Sequence, residues 1–212
     1  MRICRIILSV LLVCLSLLTA CSQPTDEEVY YKIQKKLGEL ETYECTTKVS
    51  AVNGEETTEY VYKQYFKNPN SYRLELILPE ATKGNLMVSN GKMAWVYSPS
   101  INHTYKIDSV EKLQNELLFI GFFMKNYMSS KESDITSDTI NKEQFIVITT
   151  DIPGGNYYFS KQKLWFDRNE LVPTQLEILD EQNKIVFKVH YEDFIFNPKL
   201  DDGIFHLNIQ PE

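Results

Sequence analysis

Histidine and cysteine are scarce in this chain of 212 residues, and the motifs that use them are missing. The three histidines, His103, His190 and His206, are scattered, and none has a second ligand at metal spacing. There is no H-E-x-x-H, no G-x-S-x-G, no P-loop and no C-x-x-C. Gly154-Gly155 lacks the strand-Gly-helix context of a phosphate loop and reads as a hairpin turn after Pro153. Asp26-Glu27 and Asp201-Asp202 sit where a helix starts or the chain turns, so solvation accounts for them. The run 180–184 lacks EF-hand spacing. No metal, cofactor or catalytic set is expected from these residues.

Basic charge is also in short supply. Twenty-two Lys and Arg against 29 Asp and Glu leave a net charge of −7. That balance argues against nucleic acid as a partner and against broad electrostatic binding to anionic lipid. Low-complexity tracts, linkers and internal repeats are absent, and the length suits one domain. No apolar run reaches the roughly 20 residues of a comfortable membrane span. The longest uncharged one is 6–18.

That short run has another reading. It follows the basic start Met1-Arg2-Ile3-Cys4-Arg5 and ends in Leu18-Thr19-Ala20-Cys21. A basic start, a short apolar core and small residues before a cut site describe a secretory signal peptide. Ordinary cleavage would leave Cys21 a bystander. However, Leu-Thr-Ala-Cys resembles the bacterial lipobox in all four places, which implies a diacylglyceryl-modified Cys21 as the new N-terminus. The expected organisation is a signal peptide over 1–20, a lipidated tether over 21–25 and one domain over 26–212. It places the domain at the outer face of the cell membrane. More than one acyl chain matters, because a single chain anchors only marginally. Cys4 and Cys14 leave with the signal, so Cys45 is the lone thiol of the domain. It is either buried or available for an intermolecular bridge.

Along the domain, Thr25-Asp26-Glu27-Glu28 reads as a capping box. Val29, Ile33, Leu37 and Leu40 then form one apolar stripe, so an amphipathic helix is expected over 26–40. From residue 43 the period becomes two. Strands are expected over 43–52, 55–66, 71–78, 85–89, 92–97 and 103–107, with Asn53-Gly54 and Asn90-Gly91 as hairpin turns. A capping signal at 108–111 opens a second helix, expected over 109–128. Leu117, Leu118, Phe119, Phe122, Phe123, Met124 and Tyr127 make it apolar around most of its girth. Two readings follow: a plug packed into the concave side of a sheet, or a lid that exposes Phe122, Phe123 and Met124 to a partner. Gly121 reads as a kink or a helix end. The polar run 129–144 is loop plus a weak strand. Strands resume over 145–150, 157–159, 163–167, 174–179, 184–194 and 205–209. About ten or eleven antiparallel strands and two helices make a mainly β (α+β) domain. Its hydrophobic helix offers a better surface for binding than for catalysis.

Three stretches resemble one family. Phe66-Lys67-Asn68-Pro69-Asn70-Ser71-Tyr72-Arg73 is similar to a strand of LolA/LolB-type lipoprotein carriers. Ser89-Asn90-Gly91-Lys92-Met93-Ala94-Trp95-Val96-Tyr97-Ser98-Pro99 resembles their most specific hairpin. Leu164-Trp165-Phe166-Asp167, Pro173 and the run from Asn197 to Phe205 follow suit. The resemblance implies a LolA-like open half-barrel of about eleven antiparallel strands, with helices on the concave side. One departure is Asn68, where carriers have a basic residue that helps hold the lid. A tethered member with this composition looks most like the GerS-type clostridial spore germination lipoproteins. That likeness implies no catalysis. It implies binding and licensing of a CwlD-type N-acetylmuramoyl-L-alanine amidase for muramic-δ-lactam formation in spore cortex. The alternative is a lipid or lipoprotein carrier, or an envelope sensor, using the cavity itself. Edge strands of an open half-barrel also suggest a homodimer, with Cys45 nearby.

Overall fold

The computed structural model describes residues 23–54, 56–107 and 114–207. The expected signal segment 1–20, Cys21 and the expected capping signal at 108–111 lie outside the described residues. Helix α1 spans Asp26–Gly38 and starts on the expected capping box. Thr25 Oγ1 accepts from the Glu28 amide at 3.2 Å, and the Thr25 amide donates to Glu28 Oε2 at 2.9 Å. Acidic residues fill its first turn, and Lys35 and Lys36 its last, which suits the helix dipole. Val29, Ile33 and Leu37 are buried, each contributing about 1.5–3 kcal/mol of apolar transfer.

The strands are β1 Thr42–Asn53, β2 Glu56–Lys67, β3 Ser71–Leu78, β4 Leu86–Asn90, β5 Ala94–Ser98 and β6 His103–Ile107. After helix α2, Ile120–Ser129, come β7 Ser133–Ile140, β8 Glu143–Asn156, β9 Phe159–Asp167, β10 Pro173–Leu179 and β11 Ile185–Phe196. All eleven form one antiparallel sheet in the order β6-β5-β4-β3-β2-β1-β11-β10-β9-β8-β7. Two meanders are therefore joined at the β1–β11 pair, and β6 and β7 are free edges. The sheet does not close. Both helices pack on one face of it, and their buried residues share a core with Tyr43, Val49, Phe66, Ile148, Leu164 and Val189. This is the open half-barrel that the resemblance implies.

The opposite face is covered in two places. Phe145, Val147 and Trp165 form a small second cluster, where Trp165 Nε1 donates to Asp138 Oδ2 at 3.0 Å. The 3-10 turn Asp202–Phe205 lies across β3 and β4 and buries Phe205. Lys67 pairs with Asp202 there, and Arg73 Nη1 donates to the Ile204 carbonyl at 3.4 Å.

Several local expectations are corrected. The second helix is not continuous: a 3-10 turn over Gln114–Leu118 is followed by Phe119 in extended conformation, and only then by α2. Gly121 lies in the first turn of α2, two residues past the break at Phe119, and is also a point of close approach. A Cβ there would lie 1.9 Å from Phe66 Cζ. The weak strand in 129–144 is the full edge strand β7. The first hairpin turn is shifted by one residue: Asn53 pairs with Glu56, which puts Gly54, with φ +64°, at the first central position. Gly154-Gly155 produces a register shift inside the β8–β9 ladder, and the chain reverses at Tyr157-Tyr158, which were expected in a strand. The expected last strand is absent at its first residue, since Phe205 closes a 3-10 turn; 208 and 209 lie outside the described residues.

Candidate binding face

The concave face is organised by how the segment Gln114–Ser129 is seated. A helix that stops at Leu118 and restarts at Ile120 leaves backbone groups without their usual partners, and burial makes that costly. Side chains from distant strands supply the partners. Gln162 Nε2 on β9 donates to the Leu117 carbonyl at 2.9 Å. Tyr191 on β11 donates to the Leu118 carbonyl at 2.8 Å, and Gln64 Nε2 on β2 reaches the same oxygen at 3.4 Å. The Ile120 amide donates to the Tyr43 hydroxyl at 3.1 Å, and that hydroxyl donates onward to Gln64 Oε1 at 2.9 Å. Farther along, Asn126 Nδ2 donates to Gln162 Oε1 at 2.8 Å. Burial pushes the Tyr43 and Tyr191 phenols well above their ordinary range, so both remain protonated donors.

Around these bonds the aromatic rings interlock. Phe66 stacks on Tyr43 at 5.4 Å and meets Phe122 edge-on at 6.2 Å. Phe119 lies 4.9 Å from Tyr72. Gly121 makes this possible because its missing side chain leaves room for the Phe66 ring. Tyr72 also donates to Glu116 Oε1 at 3.3 Å. Burial raises the Glu116 carboxyl to about 7, against the lowering influence of the Tyr72 hydroxyl and Lys125.

Of the residues picked out in the sequence, Leu118, Phe119, Phe122 and Phe123 are buried in the core, and Leu117, Met124 and Tyr127 pack against it half-buried. Tyr127 reaches α1, where its hydroxyl meets that of Tyr30 and accepts from Gln34 Nε2 at 3.1 Å. Met128 is the exposed end of the series. The segment is thus tied to the sheet at both the 3-10 turn and α2. Asn68 holds the α1–β1 connection rather than α2: its backbone amide donates to the Glu41 carbonyl at 2.7 Å, and its Nδ2 reaches the Leu40 carbonyl at 3.4 Å. Of the two readings for Cys45, burial holds: it is fully buried at the centre of the sheet, with its thiol toward Gln64, and lies far from either edge rather than near one. Sequence reasoning passed over Gln64 and Gln162. Their signal was a polar residue at an inward position, Gln64 between Tyr62 and Phe66 and Gln162 before Leu164.

Beside the seated segment, the concave face of β1–β5 carries a groove of about 530 Å³. Val49, Leu74, Leu118 and Phe187 give it an apolar floor, with Tyr60 and Tyr62 beside them and polar Thr82, Asn85 and Asn115 also in its lining. Among the described residues, no group of three or more His, Cys, Asp or Glu side chains could hold a metal ion. Gln64, Gln162, Tyr43 and Tyr191 on the concave face are spent on holding the helical segment, while the buried Thr47 hydroxyl on β1 has no hydrogen-bond partner among the described residues. What the arrangement offers is surface for another molecule.

Fold and face together define an open antiparallel half-barrel with a helical plug tied to its concave side and an adjoining groove. The chain belongs to the YdcC-like sporulation protein family, whose model matches residues 1–205. It is 23% identical over 193 residues to the sporulation protein YdcC of Bacillus subtilis (strain 168), a match covering 89% of this chain and 55% of that protein. The chain thus spans about half the length of the curated relative it matches. It is also similar to the GerS lipoprotein in the structure of the CwlD amidase from Clostridioides difficile in complex with GerS. There the identity is 31%, the coverage is 84% of this chain and 99% of the other, and the TM-score is 0.50. An uncharacterised conserved protein from Thermus thermophilus shares the fold at 14% identity, with a TM-score of 0.55 over 88% of this chain and 94% of that one.

Proposed function

We propose that this chain is a non-catalytic lipoprotein that holds an N-acetylmuramoyl-L-alanine amidase at the outer face of a membrane during sporulation. The observation that carries the reading is the 31% identity, spanning 99% of the other chain, to GerS in a complex with the CwlD amidase. The seated helical segment supports it, because a scaffold whose plug is fixed presents one surface rather than a moving lid. In this reading 1–20 is a signal peptide, Cys21 carries the lipid, 21–25 is the tether and 26–212 is the binding domain. The amidase it licenses starts muramic-δ-lactam formation in the cortex by removing the peptide from muramic acid, and spores lacking the protein fail to germinate. Any homodimer forms through the free edges β6 or β7 and involves no disulfide, since Cys45 is buried.

The test is an affinity pull-down of the full chain, tagged at its C-terminus, from sporulating cells. Recovery of an amidase is expected, together with loss of membrane association in Cys21→Ala. Recovery of acylated lipoproteins or lipid without an amidase would sink the proposal. That outcome would favour the second reading, a carrier or envelope sensor, for which the apolar groove of about 530 Å³ speaks.

A further inference from the structure

The topology separates the anchored end of the domain from its apolar rim. The chain enters α1 beside the β9–β10 turn, where the Arg168 guanidinium holds both the Asp26 carboxylate and the Pro24 carbonyl. The β2–β3 turn lies at this same end, since Thr42 pairs with Lys67 and Asn197 caps the start of β1. The β1–β2, β3–β4, β8–β9 and β10–β11 turns lie at the other. Strand β9 alone, nine residues long, separates the two ends by about 30 Å.

The far end carries a strip of exposed apolar side chains. Tyr157 and Tyr158, packed edge to face at 5.3 Å, are 48% and 64% exposed, and Ile185 and Leu78 stand exposed at the same end. The strip continues inward: Phe159 stacks on Phe187 at 6.1 Å, and Phe187 lines the groove with Tyr60 and Ala51 from the far ends of β11, β2 and β1. Rim and groove therefore form one apolar surface that opens away from the N-terminal tether.

Reach decides what can sit on it. Asp26 lies five residue steps beyond Cys21, a span of at most about 18 Å when fully extended. With the lipid on Cys21, the bilayer lies beyond the α1 entrance, and the rim stands about 30 Å farther out. On the adaptor reading the rim is the end of the domain farthest from the anchor, which favours a protein over a membrane surface as its occupant. Exposed tyrosines beside an apolar groove are the usual anchors of a protein interface. We propose that this membrane-distal rim is where the amidase docks, inserting apolar side chains into the groove between Tyr60 and Phe187 and covering Tyr157 and Tyr158. The inference rests on the adaptor reading above and names its contact surface.

The experiment compares three forms of the full chain in detergent, each titrated calorimetrically with the amidase of the same organism. They are the unsubstituted protein, Tyr157→Ala/Tyr158→Ala, and the control Tyr31→Ala/Ile135→Ser on the α1–β7 side. All four positions are exposed, and circular dichroism checks that each variant folds. The rim variant should bind about 10- to 30-fold more weakly, with the control unchanged. Equal binding by the rim variant, or loss confined to the control, overturns the docking surface and leaves the adaptor reading standing. No binding by the unsubstituted protein overturns the adaptor reading itself. A rim variant that keeps amidase binding but sheds co-purified lipid, or converts a dimer to a monomer, assigns the rim to those occupants instead.

Discussion

Gly121→Ala tests the seating of α2 most directly. A new Cβ would fall 1.9 Å from Phe66 Cζ and 2.4 and 2.5 Å from its two Cε atoms, far inside van der Waals contact. Phe66 has little room to retreat: it is 1% exposed and packs on Tyr43, Phe119 and Phe122. Overpacking of this kind costs about 1–3 kcal/mol, and the severity of the overlap places it at the upper end. Alanine recovers up to about 1 kcal/mol of helix propensity, less so in a first turn. The net expectation is a loss of about 2 kcal/mol, or about 4–8 °C in Tm for a domain of this size. Urea unfolding followed by circular dichroism reads it. The double variant Gly121→Ala/Phe66→Leu should recover part of the loss by shortening the ring that blocks the methyl group. A Gly121→Ala protein as stable as the parent would refute the claim that α2 sits on Phe66.

Three further outcomes are expected. Tyr191→Phe combined with Gln162→Leu strips the Leu118 and Leu117 carbonyls of their best donors, so each change should lower stability by about 1–2 kcal/mol in urea titrations. Glu116→Gln should show a pH-dependent gain. With its carboxyl near 7 in the native state against 4.5 when unfolded, the wild-type stability at this site is full below 4.5 and falls as pH rises through 7. The variant should therefore match wild type near pH 4.5 and exceed it by about 1–2 kcal/mol at pH 8.5, discounted for water reaching the neighbouring exposed Asn115; no difference at pH 8.5 would contradict the burial argument. Burial pushes the Cys45 thiol well above its usual range, so a thiol reagent should label it only in denaturant, and rapid labelling of the native protein would contradict its place in the sheet.

Much of the scaffold was legible because its signals are local. The capping box at Thr25 and the stripe Val29, Ile33, Leu37 lie within a few turns of chain, and α1 begins where they place it. Strand β3 falls at 71–78 because turn residues bracket an alternating run on both sides. Strand β7 was faint because its alternation carries little apolar contrast: as an edge strand it is exposed over nearly all its length. The turn at Tyr157-Tyr158 was hidden because the glycines before it pointed to themselves, and they serve a ladder irregularity instead.

By itself the sequence determined an antiparallel, strand-rich domain with an amphipathic first helix and a hydrophobic second one, since period and turn chemistry are properties of neighbouring residues. Only the tertiary structure decided where that second helix breaks and how it is held. The break at Phe119 is tolerable because Gln64, Gln162 and Tyr191 satisfy its backbone from 54, 45 and 73 residues away, and because Phe66 occupies the space that Gly121 leaves. Such partners carry no periodic signature. They become visible when the sheet curls and brings one face of its strands around a single segment.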